Sequence, residues 1–204
     1  MTTLLVATNN PGKVREFRDL LADLAVTITF PKELGLHLEV AESGLTFEEN
    51  ARIKATAYVQ AAGLVTLADD SGLEVDALEG APGVWSARYA GAQASDSDRV
   101  RKLLTALADV PTGRRAARFR CVVAVADPSG DVQTAEGTCA GEIGLAPRGD
   151  NGFGYDPVFV VQGYGGLTMA ELPAELKNQI SHRSRALMAA RQILAGFLAL
   201  RREE

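Results

Sequence analysis

The sequence predicts an α/β protein. A short apolar strand at residues 4–7 runs through a glycine-containing polar loop into a helix. A second apolar run at residues 64–67 is short enough to be a buried strand of parallel type, bounded by Gly63 and by a pair of carboxylates. A third stretch, residues 117–125, begins with apolar/polar alternation, and Pro128-Ser129-Gly130-Asp131 turns it back into residues 132–139 as a hairpin.

In chain order, the first strand enters Thr8-Asn9-Asn10-Pro11-Gly12-Lys13. Val14, Phe17, Leu20, Leu21 and Leu24 then recur at helical spacing, which puts Lys13 in a first turn. Strand, polar loop and helix together offer backbone N–H groups and a helix N-terminus to phosphate, although the spacing is not that of a Walker loop. The plain alternative is a βα turn with a solvated lysine. Residues 26–30 form the next strand, stopped by Pro31, and an extended piece over residues 38–42 carries Glu39 and Glu42 into Ser43-Gly44.

Thr46-Phe47-Glu48-Glu49 is a capping box that opens a helix running to about Gly63. Asn50 and Lys54, four apart, share one face of it. That face is either solvated or looks toward Asp69 and Asp70. These two aspartates, with Ser71 and Gly72, stand where the apolar run ends, the position at which open α/β sheets bind ligands. Aspartate is a poor strand former, so the pair needs a reason. A hard cation held with substrate phosphate oxygens is one, and a turn whose side chains cap backbone amides is the other.

The punctuated stretch at residues 80–89, with the single tryptophan Trp85, reads as a long irregular loop. Ser95 caps a further helix to about Leu107. Gly152-Phe153-Gly154-Tyr155-Asp156-Pro157 precedes a strand at residues 158–161, and its flanking glycines leave Phe153 able to present a ring face to a base. A turn around a core aromatic explains it equally. Lys177, Ser181, His182 and Arg183 gather before a long amphipathic helix. Cations at a helix N-terminus are unfavourable unless an anion or electronegative ligand atom relieves them.

Composition removes several classes. The chain has 204 residues and 47% hydrophobic content, enough for one compact domain with no separable linker. No apolar run reaches the roughly 18 residues of a membrane helix, and no signal-peptide pattern opens the chain, so a soluble cytoplasmic protein without membrane partners is expected. Two cysteines, Cys121 and Cys139, show no metal-ligand spacing and are expected to be buried thiols, and two histidines make a zinc enzyme a poor reading. A net charge of −5 argues against nucleic acid as a partner, but not against a small polyanion in a locally basic pocket.

Thr8-x-Asn10-x-x-Lys13, Asn50…Lys54-Ala55, Asp69-Asp70-Ser71-Gly72-Leu73, Gly80-Ala81-Pro82-Gly83, Gly152-Phe153-Gly154-Tyr155-Asp156-Pro157 and Ser181-His182-Arg183 occur in this order. Together they resemble the inosine triphosphate pyrophosphatase family, also called Ham1 or RdgB, over nearly the whole chain. Ser184, where many bacterial relatives have glycine, is a departure that implies a small adjustment of the helix start. The resemblance implies a mixed α/β sheet in an elongated two-lobed shape with the nucleotide in a central cleft, and a homodimer. It also implies Mg²⁺-dependent hydrolysis of ITP, dITP or XTP to monophosphate and pyrophosphate. Carried over by motif, Thr8, Asn9, Asn10, Pro11, Gly12, Lys13 and Lys54 would contact the triphosphate. Glu42 and Asp70 would hold the metal, Asp70 or its neighbour Asp69 would take the proton from water, and Ser71 would bind substrate. Phe153, Gly154, Tyr155, Asp156, Lys177, His182 and Arg183 would surround base and sugar.

Overall fold

The structure is a computed structural model and describes residues 2–200. Its strands are β1 (Thr3–Val6), β2 (Thr27–Thr29), β3 (Val65–Val75), β4 (Ala116–Ala126), β5 (Val132–Ile143) and β6 (Phe159–Val161), in one sheet of order β2-β1-β3-β4-β5-β6. β1 pairs in parallel with β2 and β3, so that Leu4 faces Ile28 on one side and Val65 on the other. β5 and β6 run antiparallel, with Gly141 opposite Val161. The sheet is therefore mixed.

The helices are α1 (Pro11–Leu20), α2 (Phe47–Ala62), α3 (Asp96–Ala106), α4 (Ala174–Ile180) and α5 (His182–Leu200). Their ends follow the local chemistry. Asn10 caps α1 with proline at the first position, the Thr46/Glu49 box opens α2, and Gly63, at φ +62°, closes it. Ser95 and Asp98 form the box that opens α3. α5 begins at His182 with Ser184 buried in its first turn.

Chain contacts divide the molecule into two compact units. One consists of the segments ending at Asp70, Cys121–Gly137 and the segment beginning at Arg183, and the other of Ser71–Arg120 and Thr138–His182. The first has its own core, in which Leu4, Val6, Phe17, Val65, Leu67, Val123, Leu187, Leu194 and Phe197 pack together. The second is built around Leu73, Val75, Leu103, Leu107, Phe119, Ile143, Phe159, Met169 and Leu172. Both cysteines are buried and unbridged, Cys121 in the first core and Cys139 in the second.

Four sequence expectations are corrected. β3 does not end at Leu67. It continues through Asp69 and Asp70 to Val75, so the two carboxylates stand within a strand, not in a turn. A poor strand former is tolerated there because cations and amides from other elements meet both side chains. Residues 38–42 form no strand and are held by side chains instead, the Tyr58 hydroxyl donating to the Leu38 carbonyl at 3.4 Å. Residues expected to be irregular form a 3₁₀ turn, Gly83–Arg88. Finally, the strand expected from residue 26 is only Thr27–Thr29.

Candidate active site

Neighbouring residues on a strand point to opposite faces, and Asp69 and Asp70 accordingly meet different partners. Asp69, 2% exposed, takes an ion pair from Lys13 Nζ at 2.9 Å and another from Arg183 Nη2 at 3.1 Å. The Cys121 thiol approaches its Oδ2 at 3.9 Å. Arg183, 1% exposed, is gripped on its other side by Glu16 of α1. Glu16, Arg183, Asp69 and Lys13 thus alternate in charge through the interior. Burial alone would push the Asp69 carboxyl up, but Lys13, Arg183 and Lys54 outweigh it and hold it far below the usual carboxylate range.

Asp70, 6% exposed, accepts from Asn50 Nδ2 at 3.1 Å and pairs with Lys54 Nζ at 3.3 Å. Asn50 and Lys54 lie one turn apart on α2, so the shared face looks at the carboxylate and is not simply solvated. Glu42 reaches the same ammonium at 3.1 Å. Burial raises Asp70 above the ordinary carboxylate range, with Glu42 adding to it and Lys54 and Lys13 opposing. Lys54 is raised as well, because Asp70, Asp69 and Glu42 more than offset its burial. The result is one carboxylate held firmly as an anion beside one whose burial favours the protonated form.

At the start of α1, Asn10 Oδ1 accepts from the Gly12 and Lys13 amides at 2.8 and 3.2 Å, and Thr8 Oγ1 accepts from the Asn10 amide at 3.2 Å. The helix-start amides that the sequence offers to phosphate are therefore engaged by side chains. What this loop presents is Asn9, Asn10 and Pro11, all exposed, with Lys13 behind them. Lys13 is no solvated lysine: its side chain is only 16% exposed.

The second unit holds the other candidates. Asp156 Oδ2 accepts from the Phe153 amide at 2.9 Å and from Lys177 Nζ at 2.6 Å, and Lys177 sits 5.0 Å from the centre of the Phe153 ring. Gly152 is required there: at φ +83° an added Cβ would land on the Asp156 carboxylate. Tyr155 is buried, its hydroxyl donating to the Ser86 carbonyl at 2.9 Å. His182 is stacked on Phe119, ring centres 4.8 Å apart and planes 18° from parallel. Ser71, half-buried, lies on β3.

Glu16, Asn50, Cys121 and Phe119 join these clusters without having been among the sequence candidates. Glu16 had a faint signal, as a carboxylate three residues after Lys13 on the same helix face. Cys121 and Phe119 read only as strand residues. Among the described residues, no group of three or more His, Cys, Asp and Glu could hold a metal ion, and no helix is long and apolar enough to cross a membrane. Glu42 and Asp70 do fit a hard cation in one respect: both carboxylates already converge on a single positive charge, Lys54 Nζ.

A mixed sheet with paired aspartates on a central strand and lysines from two helices meeting them in one unit, and a Gly-Phe-Gly turn beside a buried Asp–Lys pair in the other, define the protein as one of the α/β class. The chain belongs to the Ham1 family, whose profile matches residues 4–193. It is 51% identical over 191 residues to the dITP/XTP pyrophosphatase of Desulforamulus reducens, covering 94% of each chain. It is 45% identical over 194 residues to that of Bacillus subtilis, covering 95% of this chain and 98% of the relative. Among solved structures, a HAM1 protein from Coxiella burnetii superposes with a TM-score of 0.86 at 41% identity, covering 96% of this chain and all of that one.

Proposed function

We propose that this chain hydrolyses the non-standard purine nucleotides dITP, XTP and ITP to the monophosphate and pyrophosphate, with Mg²⁺ as cofactor. The names of relatives at 45% and 51% identity give the substrate class. The observation that carries the chemistry is the meeting of Glu42 and Asp70 on Lys54 beside the ionised Asp69. Two carboxylates are too few to enclose Mg²⁺, which suits an ion completing its shell with water and substrate phosphate oxygens. Glu42 and Asp70 would hold it, and when bound it supplies charge neutralisation and polarisation at the phosphates.

The protein's own groups do the rest. Lys13 and Lys54 each have three N–H donors, so they can bind phosphate oxygens without releasing their carboxylates. Thr8, Asn9 and Asn10 border the same helix start. Asp70, raised by burial, is the proton acceptor: an oxygen of water bonds to the α-phosphorus, the bond from that phosphorus to the bridging oxygen breaks, pyrophosphate leaves, and the water's proton passes to Asp70. Asp69 stays ionised and fixes Lys13, while Arg183, backed by Glu16, keeps Asp69 in place. Phe153 and His182 offer ring faces to the base, with Lys177 and Asp156 setting the Phe153 turn. Ser71 and Tyr155 are assigned to the sugar and base surroundings on the family pattern alone, as are the homodimer and the cytoplasm.

Mass analysis of the products tests this reading. With ITP and Mg²⁺ the expected products are inosine monophosphate and pyrophosphate, and Asp70→Asn should lower turnover by about 10²-fold or more while the protein stays folded. Release of single phosphate, or near-normal turnover by Asp70→Asn at saturating Mg²⁺, would refute it.

A further inference from the structure

The turn that carries Phe153 is flanked by two glycines at positive φ, Gly152 at +83° and Gly154 at +64°. Glycine gives the backbone more freedom than any other residue, so the ring's orientation has to be imposed by bonds from outside the pair. Asp156 supplies one from within the turn, accepting the Phe153 amide, and Tyr155 ties the C-terminal side to Ser86. The third comes from far along the chain. The Gly154 amide donates to Asp96 Oδ2 at 2.7 Å, across 58 residues of sequence.

At Gly154 itself, the hydrogen bond to Asp96 is the contact the structure gives. A Cβ on Gly154 would meet no atom within 4 Å, and Gly154 and Asp96 both line an open cavity of about 520 Å³. With open space on the Cβ side of Gly154, its amide is positioned by the hydrogen bond to Asp96. Asp96 is itself well fixed: it is the first residue of α3, Ser95 caps that helix, and its other oxygen pairs with Arg99. An acidic residue in a first turn is favourable for the helix dipole by itself. That role does not require it to reach the Gly154 amide.

We propose that Asp96 is a positioning residue for the nucleobase, acting through Gly154 to hold the Phe153 ring in its binding orientation. This rests on the nucleotide reading above. Asp96 touches neither the Asp69 nor the Asp70 cluster, so its loss should affect the base end of the ligand alone.

The test compares wild type, Asp96→Ala, Asp96→Ser and Asp96→Asn. It measures the Kd for inosine monophosphate, KM and kcat for ITP, and inhibition by inorganic tripolyphosphate, with melting temperatures alongside. Losing one bond to a charged acceptor should weaken inosine monophosphate binding about tenfold and raise KM by a similar factor, with kcat changed less than about threefold. Tripolyphosphate inhibition should not move. Asp96→Ser, a good helix-start residue too short for the Gly154 amide, should match Asp96→Ala. Asp96→Asn, whose amide oxygen still accepts, should stay within about twofold of wild type. Unchanged monophosphate binding in Asp96→Ala and Asp96→Ser overturns the proposal. So does an equal loss of tripolyphosphate affinity, or an Asp96→Asn as impaired as Asp96→Ala, because the charge opposite Arg99 would then be what matters. A wild type that neither binds inosine monophosphate nor hydrolyses ITP would bring down the nucleotide reading and this inference together.

Discussion

Asp69 and Asp70 are neighbours of the same residue type, and their surroundings drive them in opposite directions. Asp70 has one ammonium and one amide for partners, and burial prevails. Asp69 has Lys13 and Arg183 against it, and the cations prevail. A carboxylate depressed in the fold contributes stability that is fully present above its unfolded pKa of about 3.9 and is lost as pH falls toward the folded value. Asp69→Asn should therefore melt well below wild type at neutral pH in metal-free buffer. The gap should narrow steadily below about pH 4, as the unfolded wild type takes up a proton that the folded Asp69 does not. A gap constant from neutral pH down to the acid limit would mean that Asp69 is not an anion in the fold. The same pairing alters the expectation for Lys13. As a solvated first-turn lysine it would be nearly neutral to stability; facing a buried carboxylate at 2.9 Å, it belongs to the fold, whatever it also does for the proposed ligand.

At the scale of elements, the Gly152–Asp156 turn depends on a missing side chain. Gly152→Ala would force the Asp156 carboxylate away from the Phe153 amide and from Lys177, and would strain a backbone at positive φ. A cost on the order of 1–3 kcal/mol in stability is expected, with weakened inosine monophosphate binding and unaltered tripolyphosphate inhibition. Isothermal titration of both ligands decides it; equal loss for the two would mean general damage. Elements whose signals are local were legible in the sequence. The Thr46/Glu49 box, the Ser95 cap, the Gly63 stop and the turn at residues 128–131 each rest on contacts a few residues apart. β3 was not, because aspartate's low strand propensity ends a local reading at Leu67, whereas the strand continues on pairing with Lys13, Lys54 and Arg183. For the same reason Glu16 was missed: its partner Arg183 stands 167 residues away. The motif residues could be named from the sequence, but not how they share the work.

Taken whole, the molecule carries a net charge of −5, which opposes any polyanion at long range. Nucleotide affinity must come from local cations, and those meet phosphates of every nucleoside triphosphate alike. Selectivity therefore has to come from the base. Hypoxanthine and xanthine present an acceptor oxygen at the six position, where adenine presents a donor amine. On the proposed reading, N–H groups of His182 and Lys177 would donate to the oxygen and be left unmatched by the amine. A buried polar group without its partner costs about 1–3 kcal/mol, and a site built to hydrogen-bond can reject the wrong analogue by as much as roughly 10⁴-fold. Guanine shares the six-oxo group, so GTP has to be refused at its two-amino group, by a wall that tolerates hydrogen or oxygen but not an amine. On the proposed reading the wall lies at the turn carrying Phe153, whose amides are already taken by Asp156 and Asp96 and which therefore offers shape and no acceptor to the amine. We expect kcat/KM for ITP, dITP and XTP to exceed that for ATP and GTP by at least about 10²-fold, a gap of only ~2.7 kcal/mol. A steady-state panel at saturating Mg²⁺ measures it directly. ATP hydrolysed as well as ITP would leave an unspecific pyrophosphatase, whereas a gap against ATP without one against GTP would remove the wall and keep the six-position donors.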